Sequence, residues 1–281
     1  MANISVRQRI KQAFPARIWH VVSSARYAVQ RAAQWPEATF HPLRRSSIQL
    51  LSAYKDLHRG QRCFIIGNGP SLKNMDLSKL HNEVTFGMNR IYLQFPELGF
   101  TTTYFVTVNN LVIEQFAGDI LGLSIPRFLA WHAHNHLGRQ AVVDSQLGIA
   151  PVIFLHTTYT GPKFARDARG RLWEGATVTY VTMQLAYYMG FEIVILIGVD
   201  YNYTTKGKPN TTVVSQGDDP DHFNARYFGK GLRWQLPDLD TSEQAYLMAR
   251  QVFESDGRQV LDATVGGQLT VFPKVSYDDL F

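Results

Sequence analysis

Cysteine is almost absent from the chain: Cys63 is the single one in 281 residues. That excludes an internal disulfide and a cysteine-rich metal site. A thiol inside an apolar strand reads as a small core residue, in keeping with a reducing, cytoplasmic compartment. No run of roughly eighteen apolar residues occurs, so no transmembrane span is expected. Apolar stretches near the N-terminus are short and broken by arginine, which argues against a secretory signal. Acidic side chains are scarce at the start, where residues 1–60 hold ten Lys/Arg against Glu37 and Asp56, about +8 in a chain of formal net charge +5. Basicity therefore belongs to an extension. Its basic residues lack interleaved glycines and aromatic stacking motifs, so no nucleic-acid partner is expected.

What is present suits a globular protein: 45% of residues are hydrophobic and 18% charged, enough to bury one large α/β core. We divide the chain into a basic helical extension over residues 1–59 and a nucleotide-binding catalytic domain over 60–281. In the extension, Ile10, Phe14, Ile18, Val21 and Val22 recur at roughly helical spacing beside Arg7, Lys11 and Arg17, with Trp19 and Trp35 nearby. This composition fits a helix lying on an anionic membrane surface, on the inner face of the membrane, or docking on a partner. A solvated helix packed on the core is the plainer reading.

Beyond residue 60 the pattern is strand, turn, helix, repeated. Arg62–Ile66, Val84–Met88, Tyr104–Val108, Arg127–Trp131, Val152–His156, Ile193–Ile197 and Gln259–Leu261 are short β-rich apolar segments. They predict an α/β fold: a Rossmann-like, open, mostly parallel sheet with helices on both faces. Thr177–Met189 and Ser242–Ser255 have helical character, the latter with Thr241 or Ser242 as N-cap and Gly257 as stop. Lys206–Pro220, rich in Gly, Pro, Thr, Asn and Asp, reads as a long loop.

Ligands of open α/β sheets gather beyond the carboxyl ends of the strands, where strand order switches. The residues there are polar or small: Gly67, Asn68, Gly69, Pro70 and Ser71 after the first strand, Asn89 after the second, Asn109 and Asn110 after the third, and Gly198, Asp200, Tyr201 and Tyr203 after Ile193–Ile197. Gly67 and Gly69 are able to take positive φ and let a ligand approach the main chain, Pro70 fixes the exit, and Asn68 and Ser71 add short donors. The loop is neither a GxGxxG fingerprint nor a P-loop. Each residue alone is explained by a cap or turn; their agreement is what points to a phosphate or nucleotide.

Histidines need the same weighing. His132, His134 and His136 alternate, and an extended segment would place all three on one side as a metal set; the absence of a carboxylate at a known ligand spacing argues against it. His222, in Asp219-Pro220-Asp221-His222-Phe223, is either a turn contact or a base.

Ile65 to Lys73, Phe86-Gly87-Met88-Asn89, and Gly190-Phe191 leading through Ile195 to Asp200 resemble the sialyltransferases of glycosyltransferase family 42. The same residues are similar to the related MptE-like family of 6-hydroxymethylpterin diphosphokinases. That pattern is matched more fully by Gly175 to Thr179, by His222-Phe223 with Tyr227-Phe228-Gly229, and by Ala263 to Gly267. The likeness covers about residues 60–275. It implies a nucleotide in the crevice, with phosphate near Gly67–Ser71. In the transferase reading Asn68, Asn89 and Asn109 or Asn110 line a CMP-sugar site, Thr177 and Thr179 form a polar helix start facing the nucleotide, Tyr201 or Tyr203 bonds the leaving phosphate, and His222 is the base. An arginine expected before Thr177 has no counterpart, since Gly175 stands there, and strict alignment puts Arg226 at the base position.

The resulting expectation is a transferase moving a sialic-acid-like sugar from a CMP-activated donor to a glycan or lipid-linked acceptor with inversion, His222 and Tyr203 being catalytic and no metal or other cofactor being required. The alternatives are an ATP-dependent pterin diphosphokinase, in which Asp200 would hold Mg²⁺, and a non-catalytic nucleotide-binding protein.

Overall fold

The computed structural model describes residues 16–137, 142 and 150–281. The chain divides into two compact units, Met1–His41 and Pro42–Phe281. In the first, helix α1 (Ala16–Phe40) carries Pro36 within it. Ile18, Val21 and Val22 fall in α1, whereas Arg7, Ile10, Lys11 and Phe14 lie outside the described residues. Tyr27, Val29, Trp35 and Phe40 are exposed. No helix among the described residues is long and apolar enough to cross a membrane.

The second unit begins with α2 (Pro42–Ser52) and contains the sheet. Its strands are β1 (Arg62–Ile66), β2 (Thr85–Met88), β3 (Tyr104–Thr107), β4 (Arg127–Ala130), β5 (Val152–Thr158), β6 (Arg171–Trp173), β7 (Ile193–Ile197) and β10 (Gln259–Asp262), while β8 (Thr212–Val214) and β9 (Arg233–Gln235) form a separate antiparallel pair. The order across the large sheet is β10-β7-β1-β2-β3-β4-β5-β6, and every pair in it is parallel. Every residue of β2, β3, β4 and β5 is buried, so protein covers both faces of the sheet centre. This is why these strands read as continuous apolar runs rather than alternating ones. The chain adds strands outward from β1 to β6, then returns to place β7 on the other side of β1. Strand order thus reverses between β1 and β7, and the crevice beyond their carboxyl ends is the switch point.

Helices α3 (Phe95–Leu98), α4 (Asn110–Gln115), α5 (Ala117–Leu121), α6 (Val178–Tyr188) and α7 (Leu239–Ser255) complete the described unit. Several details differ from the sequence expectation. The loop Lys206–Pro220 contributes β8, which pairs with β9 through Val213 and Trp234. Helix α7 begins at Leu239, because Asp238 caps it by accepting from Thr241 N at 3.1 Å; Thr241 and Ser242 lie inside the helix. Strand β5 runs two residues past His156 because β6 pairs with that extension. Residues 178–188, expected as a helix with apolar positions on more than one face, form α6 as expected, buried on nearly all sides; its inward Gln184 is satisfied by Ala165 N, Trp173 N and Trp173 O.

Candidate active site

Beyond β1 and β7 the two loops are pressed together. Gly67 N donates to Ile197 O at 2.7 Å and Gly69 N to Gly198 O at 2.9 Å. A Cβ on Gly67 would strike the Gly198 carbonyl, and one on Gly69 would strike the Asp200 carboxylate. Glycine is required here by loop-on-loop contact, which corrects the expectation of positive φ: Gly69 has φ −71°, and the left-handed glycine is Gly198 at +66°. Pro70 opens a short 3-10 helix, Pro70–Asn74.

Asp200 closes the same turn. Its Oδ1 accepts from Ser71 N at 3.0 Å and its Oδ2 from Ser71 Oγ at 2.7 Å. Burial raises the Asp200 pKa, and the bonds from Ser71 oppose that rise. Asp200 is therefore a clamp on the β1 turn. Asn68 Nδ2 donates to Met88 O at 3.1 Å, and its backbone carbonyl accepts from Phe223 N at 2.9 Å. Asn68 Oδ1 is buried and has no partner among the described residues. Asn89 sits at φ +51°, where asparagine is among the few tolerated residues, and its Oδ1 accepts from Thr107 Oγ1 at 2.9 Å.

Phe223 ties the loop carrying His222 to β1. His222 Nδ1 lies 2.8 Å from Asp219 Oδ2, its ring stacks on Tyr227 at 4.0 Å, and its Nε2 has no partner among the described residues. Burial raises the Asp219 pKa, but the bond and charge of His222 and the backbone N–H groups of Asp221 and Phe228 outweigh it and leave the carboxyl below its ordinary value. Arg90, buried against the Phe116 ring at 3.8 Å, donates to the carbonyls of Arg226 and Tyr227 and so anchors the loop from the β2 side. The side chain of Arg226 is exposed, and its backbone carbonyl is what meets Arg90.

Tyr203 is partly buried, and desolvation together with Tyr246, Asp221, Asp200 and Asp219 raises its pKa, so its hydroxyl keeps its proton. Tyr201, at φ +57°, donates to Leu239 O at 2.7 Å. Tyr246 joins these residues to α6: its hydroxyl is 3.4 Å from Thr177 Oγ1, and its ring is 6.5 Å from that of Tyr201. Thr177 caps α6 by accepting from Thr179 N, following Gly175 and Ala176, both at positive φ. Gly67–Ser71, Asn89, Gly198, Asp200, Tyr203 and His222 are thus linked around the switch point, with Thr177, Thr179 and Tyr201 joined to them through Tyr246. Asn109 is engaged elsewhere, its Oδ1 capping α4 through Leu111 N and Val112 N.

The three alternating histidines do not share a side. Trp131–His136 is a 3-10 helix: His134 stacks on Trp131 at 3.8 Å, and His132 bridges Asn110 Oδ1 at 2.9 Å and Glu174 Oε1 at 3.0 Å. Among the described residues no group of three His, Cys, Asp or Glu is arranged to hold a metal. Sequence reasoning missed Asp219, Arg90, Tyr246 and Glu174 as members of these networks. Asp219 three residues before His222 was the one visible signal, an i, i+3 acid–imidazole pair in a turn.

No curated protein matches the chain. A solved structure, the MAf glycosyltransferase from Magnetospirillum magneticum AMB-1, aligns over 92% of this chain at 15% identity with a TM-score of 0.46, and the chain spans 42% of that protein's length. Residues 40–206, more than half of the chain, match the family described as 6-hydroxymethylpterin diphosphokinase MptE-like, and the chain belongs to that family.

Proposed function

We propose that the protein is a nucleotide-dependent sugar transferase, moving a sialic-acid-like sugar from a CMP-activated donor to a hydroxyl of a glycan or lipid-linked acceptor. The observation that carries this reading is the Asp219–His222 pair, held against the β1 loop with Nε2 of the imidazole left without a partner among the described residues. In this chemistry His222 Nε2 takes the acceptor proton as the acceptor oxygen attacks the anomeric carbon. The bond from that carbon to the phosphate oxygen breaks, and its electron pair leaves with CMP. Asp219 holds the tautomer that keeps Nε2 free and steadies the imidazolium. The Tyr203 hydroxyl donates to the leaving phosphate, a contribution on the order of 3 kcal/mol for a well-placed donor. The buried Asn68 Oδ1 supplies an acceptor for a nucleotide N–H or O–H. Displacement from the opposite face inverts the anomeric centre.

The family's description favours a second reading, ATP-dependent pterin diphosphokinase. A Mg²⁺ at this edge would meet Asp200, both of whose oxygens are engaged by Ser71, and the described residues gather no cation site of their own. Thermal shift with CMP, CDP, UDP, GDP and ATP, each with and without Mg²⁺, separates the readings, because ligand stabilises the folded state according to occupancy. The transferase reading expects a CMP shift that Mg²⁺ does not alter. It also expects His222→Ala to keep that shift and lose turnover of a CMP-sugar. A shift seen with Mg·ATP alone would replace it with the second reading. The basic extension is proposed to hold the enzyme on an anionic membrane surface.

A further inference from the structure

A buried cationic cluster lies at the far edge of the sheet, around β5 and β6. β6 pairs with β5 only from His156 onward, so the earlier part of β5 has an open edge on that side. Helix α2 fills it: Phe154 N donates to Ser47 Oγ at 3.0 Å in place of a strand partner. Arg44, three residues before Ser47 and so on the same helix face, reaches past the start of β6, where Nη2 donates to Arg169 O at 2.6 Å and Gly170 O at 3.3 Å. Arg171 is the register partner of His156, so the two side chains stand on one side of the sheet.

Arg44 is 1% exposed and His156 7%. Among the described residues Nε and Nη1 of Arg44 and Nε2 of His156 are buried without a partner, and no carboxylate pairs with Arg44. Desolvation, then the charges of Arg171 and Arg44, push His156 down to about 4, so the ring is neutral and adds no positive charge of its own. Arg44 also stands in the first turn of α2, where the helix dipole adds positive potential and no acidic residue offsets it. A buried guanidinium with unsatisfied donors is costly to the fold unless an anion completes it. We infer that this buried cluster is a binding site for a small inorganic anion, held by Nε and Nη1 of Arg44 and by Nε2–H of His156, with Arg171 beside it.

The site is separate from the proposed active site and stands or falls without it. Crystals of the full chain soaked in sodium bromide are expected to show an anomalous peak between Arg44 and His156. A parallel soak in sodium phosphate distinguishes a halide from an oxyanion, and occupancy by either supports the site. In solution the melting temperature should climb by about 3 °C with bromide or phosphate relative to gluconate at equal ionic strength. Arg44→Met should abolish that difference. If this variant fails to fold, His156→Phe, which removes one donor, should reduce the rise at least severalfold in apparent affinity. Water alone or no added density between Arg44 and His156 in both soaks, or an identical rise in gluconate, overturns the proposal.

Discussion

At the Asp219 carboxylate a stability contribution and the proposed chemistry meet in one side chain. Its pKa is depressed in the fold, so its contribution is present above the ordinary carboxylate value of ~3.9 and is lost as pH falls through the depressed one. Asp219→Asn should cost about 1–3 kcal/mol at neutral pH, and the gap between variant and parent should close in acid; denaturant midpoints at several pH values check this, and a gap that widens in acid refutes it. The same change should lower turnover by on the order of 10²-fold or more, since an amide no longer fixes the imidazole. Asp200 has the opposite sign: its raised pKa means that ionisation opposes folding above the ordinary value and protonation favours it. Asp200→Asn keeps an acceptor for Ser71 N and presents a donor to Ser71 Oγ, so it should leave stability at neutral pH unchanged or higher. Ser71→Ala strands Asp200 Oδ2 and should cost about 1–3 kcal/mol. The sequence marked Asp200 and His222 by position alone. It could not show that Asp200 spends its oxygens on Ser71, because that bond joins residues far apart in the chain.

At the scale of elements, β1 through β7 were legible wherever a strand is buried on both faces, since burial on two sides writes a continuous apolar run. β6 was not, because three residues including Arg171 and Trp173 carry no period. Nor was the true reason for the glycines, which lies in the pairing of two strand ends. That pairing makes a specific prediction. The Cβ of Gly69→Ala would meet the Asp200 side chain first and the Gly198 carbonyl oxygen only at 2.9 Å, whereas that of Gly67→Ala would meet the Gly198 carbonyl itself, and more closely. Both substitutions should destabilise by about 1–3 kcal/mol or more. Adding Asp200→Gly should recover part of the loss from Gly69→Ala and none from Gly67→Ala. Equal recovery in both double variants, measured by thermal melts, would remove loop-on-loop contact as the explanation.

For the whole molecule, the partition into Met1–His41 and Pro42–Phe281 places the sheet, the switch point and the buried Arg44–His156 cluster in the second unit, with α1 in the first. Residues 1–41 hold Arg7, Arg9, Lys11, Arg17, Arg26 and Arg31 against Glu37. Each Lys or Arg near an anionic surface is worth about 1 kcal/mol, and the attraction fades once salt shortens the screening length below ~10 Å. The exposed Tyr27, Val29, Trp35 and Phe40 add apolar and aromatic area of the kind that lodges at a lipid interface. The full chain should therefore co-sediment with vesicles containing phosphatidylglycerol, bind pure phosphatidylcholine far less, and release in high salt. A chain of residues 42–281 should melt cooperatively, keep its nucleotide shift and lose the vesicles. Retained vesicle binding by 42–281, or equal binding to both lipids, would sever the extension from the membrane; loss of the nucleotide shift would instead show that the switch-point crevice depends on residues before Pro42.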